Sequence, residues 1–289
     1  MRRDVSFKTR DGTALAGWFY TPDGAREARP CVVMSHGFTA QIAHGLAPFA
    51  EELAKAGFAV LAYDHRGWGK SEGVPRLETN PFRQMQDTRD ALSYVMTLPE
   101  VDENRIGLWG TSYSGGTALV VAAVDRRVKC VVSVVPVTSG WELTKRLVGE
   151  NLEAHLAGLY AARKAEAEGK GVQYRQHTTL KETIDWFTRA DPQGLWKNQV
   201  SVVSHDMLME FEPVHYMDRI APTPLQMILA DRDTRCYTDL QLEAYARARE
   251  PKRMVMVSGG HYEPYIERFR ETSDATCDWF RSHLAGGLR

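Results

Sequence analysis

Cysteine is scarce and scattered in this chain. Cys31, Cys130, Cys236 and Cys277 form no C-x-x-C pair, which argues against a zinc site or a redox dithiol and leaves buried free thiols. No H-E-x-x-H or comparable ligand spacing is present, so no metal is expected, and no cofactor motif appears. No apolar run reaches membrane-spanning length, and the first fifteen residues, MRRDVSFKTRDGTAL, hold no apolar core of signal-peptide size. The expectation is a cytoplasmic protein with no membrane partner. Net charge is lacking too: 36 Lys and Arg offset 37 Asp and Glu, so no global field attracts nucleic acid, and small-molecule chemistry remains. There is no internal repeat and no low-complexity tract. The stretch KAEAEGKG at 164–171 is read as a solvated helix end and turn.

What is present is an ordinary globular composition, 43% hydrophobic and 25% charged over 289 residues, enough to bury a sizeable core. DVSFKT and ALAGWFY flank an Asp11-Gly12 turn and predict an antiparallel hairpin at a sheet edge. From Cys31 the rhythm changes. CVVMS, FAVLAYD, RIGLWG, VKCVVSVVPV and PLQMILA are short apolar runs separated by helical lengths, the pattern of parallel strands covered on both faces. A helix over 46–56 would bury Leu46, Phe49, Ala50 and Leu53, and one over 82–98 would bury Phe82, Met85, Leu92, Val95 and Met96. The expected fold class is α/β. Alternation stops at Pro136 and resumes near Pro224, and the helix-forming stretch between them has no convincing strand. The chain is therefore divided into a core of 1–136 plus 223–289 and a helical insertion at 137–222.

The stretch GTSYSGG at 110–116 half-matches the strand-to-helix turn G-x-S-x-G in two registers, centred on Ser112 or on Ser114. Such a turn puts its serine directly after the strand and tolerates only small neighbours two positions away. The Ser112 register fits better: Gly110 ends the strand, Ser114 fills the later crowded position, and Gly115 and Gly116 let the helix approach the sheet. A serine needs a base and an orienting carboxylate. ADRDTRC follows one predicted strand and GGHYEPY another, so His261 is the candidate base. Asp231 and Asp233 compete as the acid, and Asp233 is preferred because a carboxylate right at the strand end more often ties down the turn. The backbone N–H groups of Phe38, in MSHGFT, and Tyr113 are candidate donors to a developing oxyanion. Without the other motifs, MSHGFT would be read as a glycine turn with His36 as a structural donor.

These motifs, SHGF, YDHRGWGKSEG, GTSYSGG, ADRDT and GGHYEPY, resemble those of the α/β-hydrolase superfamily, with the dienelactone-hydrolase-like and prolyl dipeptidyl peptidase-like branch the most similar. The D-x-R-x-x-G-x-S-x-G-x-P-R and G-G-H-x-x-x-Y patterns are similar to those of hydrolases related to the fungal polyketide transferases. The resemblance implies serine-dependent acyl transfer to water or another acceptor, beneath a helical cap. Two departures bear on it. Ser114 stands where a second elbow glycine is usual, and the nucleophile is serine where dienelactone hydrolases carry cysteine, so a dienelactone substrate is not expected. Asp64 and Arg66 are read as loop-fixing residues.

The leading expectation is hydrolysis of carboxylic esters or thioesters by a Ser112–His261–Asp233 triad, with a small-molecule acyl substrate and no cofactor. A peptidase or an acyltransferase would use the same triad; from another class, a noncatalytic binding module on a hydrolase scaffold is the alternative. Haloalkane dehalogenation is disfavoured, since it needs a carboxylate at the elbow. A homo-oligomer is compatible with all of these. Trp141 and Trp186 of the insertion are expected to line the acyl pocket, while most insertion aromatics form its own core. Because acidic and basic residues of the insertion nearly balance, no strong preference for an anionic substrate is expected.

Overall fold

The computed structural model describes residues 1–24 and 27–284. The Asp11-Gly12 turn closes the predicted hairpin, with β1 (Arg2–Lys8) paired antiparallel to β2 (Ala14–Tyr20). Strand and helix then alternate through β3 (Arg29–Ser35), α1 (Leu46–Lys55), β4 (Ala59–Tyr63), α2 (Pro81–Val95), β5 (Val101–Thr111), α3 (Tyr113–Val124) and β6 (Val128–Val134). Next come α4 (Gly140–Val148), α5 (Leu152–Ala167), β7 (Tyr174–Gln176), α6 (Lys181–Ala190), β8 (Gln199–Ser201) and α7 (Val202–Met209). Alternation resumes with β9 (Leu225–Ala230), α8 (Thr238–Arg247), β10 (Lys252–Val257) and α9 (Phe269–Leu284).

Eight strands form one sheet in the order β1-β2-β4-β3-β5-β6-β9-β10, parallel from β4 to β10. The apolar runs lack alternation because each strand is buried on both faces. On one face Val33, Leu61, Leu108 and Leu229 pack with Leu92 of α2, Leu119 of α3 and Ala244 of α8. On the other, Val32, Val60, Trp109 and Ile228 pack with Phe49 of α1 and Phe280 of α9. Helix α1 buries the four residues that its periodicity predicts.

Two expectations need correction. In α2, Leu92 and Val95 are buried, but Phe82 is 43% exposed and Met85 and Met96 are only half-buried. The buried face instead includes Gln84, Asp87 and Thr88. Each has a partner: Tyr113 donates to Gln84 Oε1, Arg66 to Asp87, and Thr88 shares a hydrogen bond with Tyr63. Apolar periodicity cannot anticipate a helix face whose polar groups have waiting partners. In the 137–222 segment, β7 and β8 form a three-residue antiparallel ladder, Tyr174↔Ser201 to Gln176↔Gln199. Strands that short carry no readable alternation.

From β3 the chain passes to β4 on one side, and from β4 it crosses back past β3 to β5 on the other. A crevice opens at the carboxyl ends of strands where winding reverses, and the loops holding Gly37 and Ser112 both lie there. The loop after β4 is built by the motif read as scaffold. Asp64 accepts N–H groups of Ile42 and Lys70, and its own carbonyl accepts the Ser71 hydroxyl. Arg66 joins buried Asp87 to Asp11. The far end of this loop receives the 137–222 segment: Tyr174 donates to Arg76 O (2.9 Å), Ser201 N–H to Leu77 O (2.8 Å), and Ser204 Oγ accepts Thr79 N–H (2.8 Å). Among the described residues, no helix is long and apolar enough to cross a membrane.

Removing Arg66 strands the fully buried Asp87 carboxylate. Arg66→Met should lower the unfolding free energy by about 3–5 kcal/mol; urea denaturation measures this, and a loss below about 1 kcal/mol would show the pair to be dispensable.

Candidate active site

Strand β5 pairs with β6 up to Thr111↔Val134, and the next residue, Ser112, turns the chain into α3 with φ 54° and ψ −119°. A non-glycine residue held there is strained by about 1–3 kcal/mol, and the neighbours hold it. Ser112 N–H donates to Val134 O at 2.8 Å, and Ser112 O accepts Val137 N–H at 2.9 Å. A Cβ at position 110 would lie 2.1 Å from Ser114 O, and one at 116 would lie 2.4 Å from Val137 O, so the turn closes only around glycine. Ser114 points the other way. Its buried hydroxyl donates to Ser35 O (2.6 Å) and accepts Thr111 N–H (3.1 Å), pinning the helix start to β3 and β5. Ser112 is the serine that faces the crevice.

His261 lies in the loop after β10, with Nε2 3.0 Å from Ser112 Oγ and Nδ1 2.9 Å from Asp233 Oδ2. Asp233 is fixed through both oxygens: Oδ1 accepts the N–H groups of Arg235 (2.7 Å) and Cys236 (2.9 Å), and Oδ2 also accepts Gln241 Nε2–H (2.9 Å). Asp231 does not reach the imidazole. It accepts Gly259 N–H at 2.8 Å and so ties the acid loop to the histidine loop. Burial opposes charge on both members of the pair, but each stabilises the other. The net result holds Asp233 below the usual carboxylate range and raises His261 above the ordinary imidazole value.

Gly37 backs onto the elbow; a Cβ there would sit 3.5 Å from Ser112 Cβ. Among the described residues, neither Phe38 N–H nor Tyr113 N–H has an acceptor within the protein. His36 shapes this turn: its Nε2 accepts His65 N–H at 3.0 Å, which leaves Nδ1–H to donate to Gly37 O at 2.9 Å. Burial lowers its pKa to about 4, so it stays neutral.

Two neighbours were given no role from sequence. Cys236 Sγ is 3.7 Å from Ser112 Oγ, and burial pushes its thiol pKa up, so it remains protonated. Its one sequence signal is its place three residues after Asp233. The Tyr265 hydroxyl accepts from Thr111 Oγ1 at 2.5 Å, and its ring stands edge-on to His261. Among the described residues, Asp233, Cys236 and His261 are also the one set of three that could gather around a metal ion. Because Asp233 and His261 already bond to each other and the thiol holds its proton, the set reads as part of the hydrogen-bond chain.

Ser112 opens into a cavity of about 380 Å³. The 137–222 segment contributes Leu143, Leu147 and Val148 from α4, Trp186 from α6 and Leu208 from α7. Trp186 stacks on Tyr262, the residue after His261, with centroids 5.3 Å apart. Trp141 corrects an expectation. It is 41% exposed and lines a separate hollow with Met209 and Glu212, because α4 turns Leu143, Leu147 and Val148 inward and Trp141 outward. The charge balance of the segment does not hold on this surface either: Arg175, His155, His177, His205 and Arg235 line the cavity, and among the described residues no carboxylate does.

The fold is that of the α/β hydrolases. The sequence profile of the X-Pro dipeptidyl-peptidase (S15 family) matches residues 11–263, and the chain belongs to that family as an enzyme of hydrolase type. It is 31% identical over 271 residues to the thiohydrolase aneE of Aspergillus aculeatus, covering 87% of this chain and 83% of that protein. It is 29% identical over 272 residues to the acyltransferase drtE of Aspergillus calidoustus, covering 89% and 86%. The crystal structure of the α/β hydrolase GrgF from a Penicillium species superposes with a TM-score of 0.87 at 26% identity, covering 99% of each chain. The kinship read from the motifs therefore holds.

An organophosphonate should label Ser112 and leave Ser114 free, because only the former faces the cavity. Peptide mass spectrometry locates the adduct; finding it on Ser114 would mean that the elbow opens in the other register.

Proposed function

We propose that this chain hydrolyses carboxylic thioesters or esters through an acyl-enzyme on Ser112. The observation that carries this reading is the continuous chain from Ser112 Oγ through His261 to Asp233, opening into a largely apolar cavity. His261 Nε2 takes the Ser112 proton as the hydroxyl oxygen attacks the carbonyl carbon, and Asp233 steadies the imidazolium that forms. The oxyanion is met by the free N–H groups of Phe38 and Tyr113. His261 then protonates the leaving thiol or alcohol, and water repeats the sequence to release the acid. The 137–222 segment acts as a cap whose apolar side chains hold the acyl chain.

Transfer of the acyl group to an acceptor other than water is the second reading, favoured by relatives named acyltransferase and polyketide transferase. Product analysis with a thioester, with and without added alcohols, separates the two. A peptidase activity, which the family's description suggests, would appear as cleavage of proline-containing peptide amides.

Ser112→Ala should reduce turnover of a short acyl thioester by about 10³-fold or more. Retained turnover would remove the acyl-enzyme from the mechanism.

The reactive form needs His261 as the free base. Since Asp233 raises its proton affinity, the rate should rise with pH, with a midpoint above the ordinary imidazole value of about 6.5. In Asp233→Asn the residual activity should show a lower midpoint. A pH-rate profile identical in both proteins would detach Asp233 from His261.

Trp186→Ala should change discrimination between short and medium acyl groups by roughly 1–3 kcal/mol, whereas Trp141→Ala should leave it unchanged. Ratios of kcat/KM across an acyl series decide this.

A further inference from the structure

The basic lining of the cavity forms a group on one side. His155 of α5, His177 just after β7 and His205 of α7 lie around one another, with ring centroids 6.3 Å apart for His155 and His205 and 6.5 Å for His177 and His205. His177 and His205 both touch the ring of Phe38, at 5.4 and 5.5 Å, which places the group one ring away from the backbone facing Ser112.

Its polar atoms are unused. His155 Nε2, His177 Nδ1 and His205 Nε2 are buried without a hydrogen-bond partner, a state that folded proteins avoid unless something else supplies the bond. Arg175 of β7 is half-buried, and among the described residues it has neither an ion pair nor a side-chain hydrogen bond. The other arginine of the wall, Arg235, is paired with Glu182 at 2.8 Å, so it holds no spare charge. Burial, reinforced by Arg175, lowers the His177 pKa to about 4 and moves His155 and His205 in the same direction. At neutral pH the group therefore presents one guanidinium charge and three neutral imidazoles, each able to donate one hydrogen bond.

A planar fork of N–H groups without a counter-charge, ringed by imidazole donors, matches an oxyanion. We propose that Arg175, His155, His177 and His205 form a subsite for an anionic oxygen group of the substrate, a carboxylate or a phosphate distant from the scissile bond. This rests on the acyl-transfer reading of Ser112 and narrows it. The group comes either from the acyl part, as in a dicarboxylic half-thioester, or from the thiol part, as in a phosphopantetheine-type carrier.

Two matched comparisons distinguish these sources. The adipoyl thioester of N-acetylcysteamine is compared with its methyl ester, and a hexanoyl thioester of coenzyme A with the same acyl group on N-acetylcysteamine. The wild-type enzyme should favour the charged member of one pair by roughly tenfold or more in kcat/KM, the scale of a charge-assisted hydrogen bond. In Arg175→Met, checked for folding by its thermal transition, that ratio should fall to near one, and Arg175→Lys should retain part of it. No charge preference in either pair, or a preference that survives in Arg175→Met, would overturn the subsite. If the wild-type enzyme turns over none of these thioesters, the acyl-transfer reading fails instead. Calorimetric titration with adipate and inorganic phosphate then tests the subsite directly: binding that disappears in Arg175→Met sustains it, and absence of binding to the wild-type protein ends it.

Discussion

The conformation of one residue sets the geometry of the site. Ser112 sits at positive φ because β5 ends against β6 at Thr111, and the chain must enter α3 without a further residue of slack. Closure depends on the space left by Gly110 and Gly116 and on the Ser114 hydroxyl that clamps the helix start to β3. The strain is not solitary. Among the described residues, the non-glycine positions with positive φ are Thr39, Leu77, Ser112, Val135 and Tyr237, and each follows the carboxyl end of a strand, β3, β4, β5, β6 or β9. These positions thus fall in the connections that follow strands, while the strands themselves stay regular, and a rigid frame can sustain such strain.

The elements that could be read from sequence are those whose local chemistry admits one solution. The elbow serine was legible because crowding on both sides demands small residues, and position 114 needs a side chain short enough to bond backward. Asp233 was legible over Asp231 for a related reason: the residue nearer the strand end serves the turn, as the bond from Gly259 N–H to Asp231 shows. The hairpin and the apolar strands followed from turn chemistry and from burial on both faces.

Facing and convergence were not legible. Helix α4 contains both Trp141 and the Leu143–Leu147–Val148 wall, and nothing in nine residues says which side meets the crevice. Phe82 looked like core because the face was read from apolar residues alone, whereas Arg66, Tyr63 and Tyr113 supply partners for Asp87, Thr88 and Gln84 from elsewhere in the chain. The basic wall is the extreme case. His155, Arg175, His177 and His205 come from three elements and the loop after β7, and a charge count over 137–222 averages them with carboxylates on the outside. Side chains that meet only through tertiary packing leave no periodic trace.

Strands β6 and β9 are hydrogen-bonded neighbours, Val131↔Leu225 to Val134↔Ile228, although residues 135–224 lie between them. Because the two strands run parallel, the chain leaves the sheet at the carboxyl end of β6 and returns at the amino end of β9, displaced sideways by one strand spacing of about 5 Å and backward along the strand direction. Closing such an excursion costs little more for a long stretch than for a short one, since the entropy grows only with the logarithm of length. The sheet imposes no length on what departs from it. The part of the cavity wall that comes from 137–222 can accordingly be lengthened, shortened or exchanged as a single contiguous unit while the strand ends that carry Ser112, Asp233 and His261 keep their spacing. The side chains that 137–222 brings to the cavity are thereby encoded on a different stretch of the gene from Ser112, Asp233 and His261.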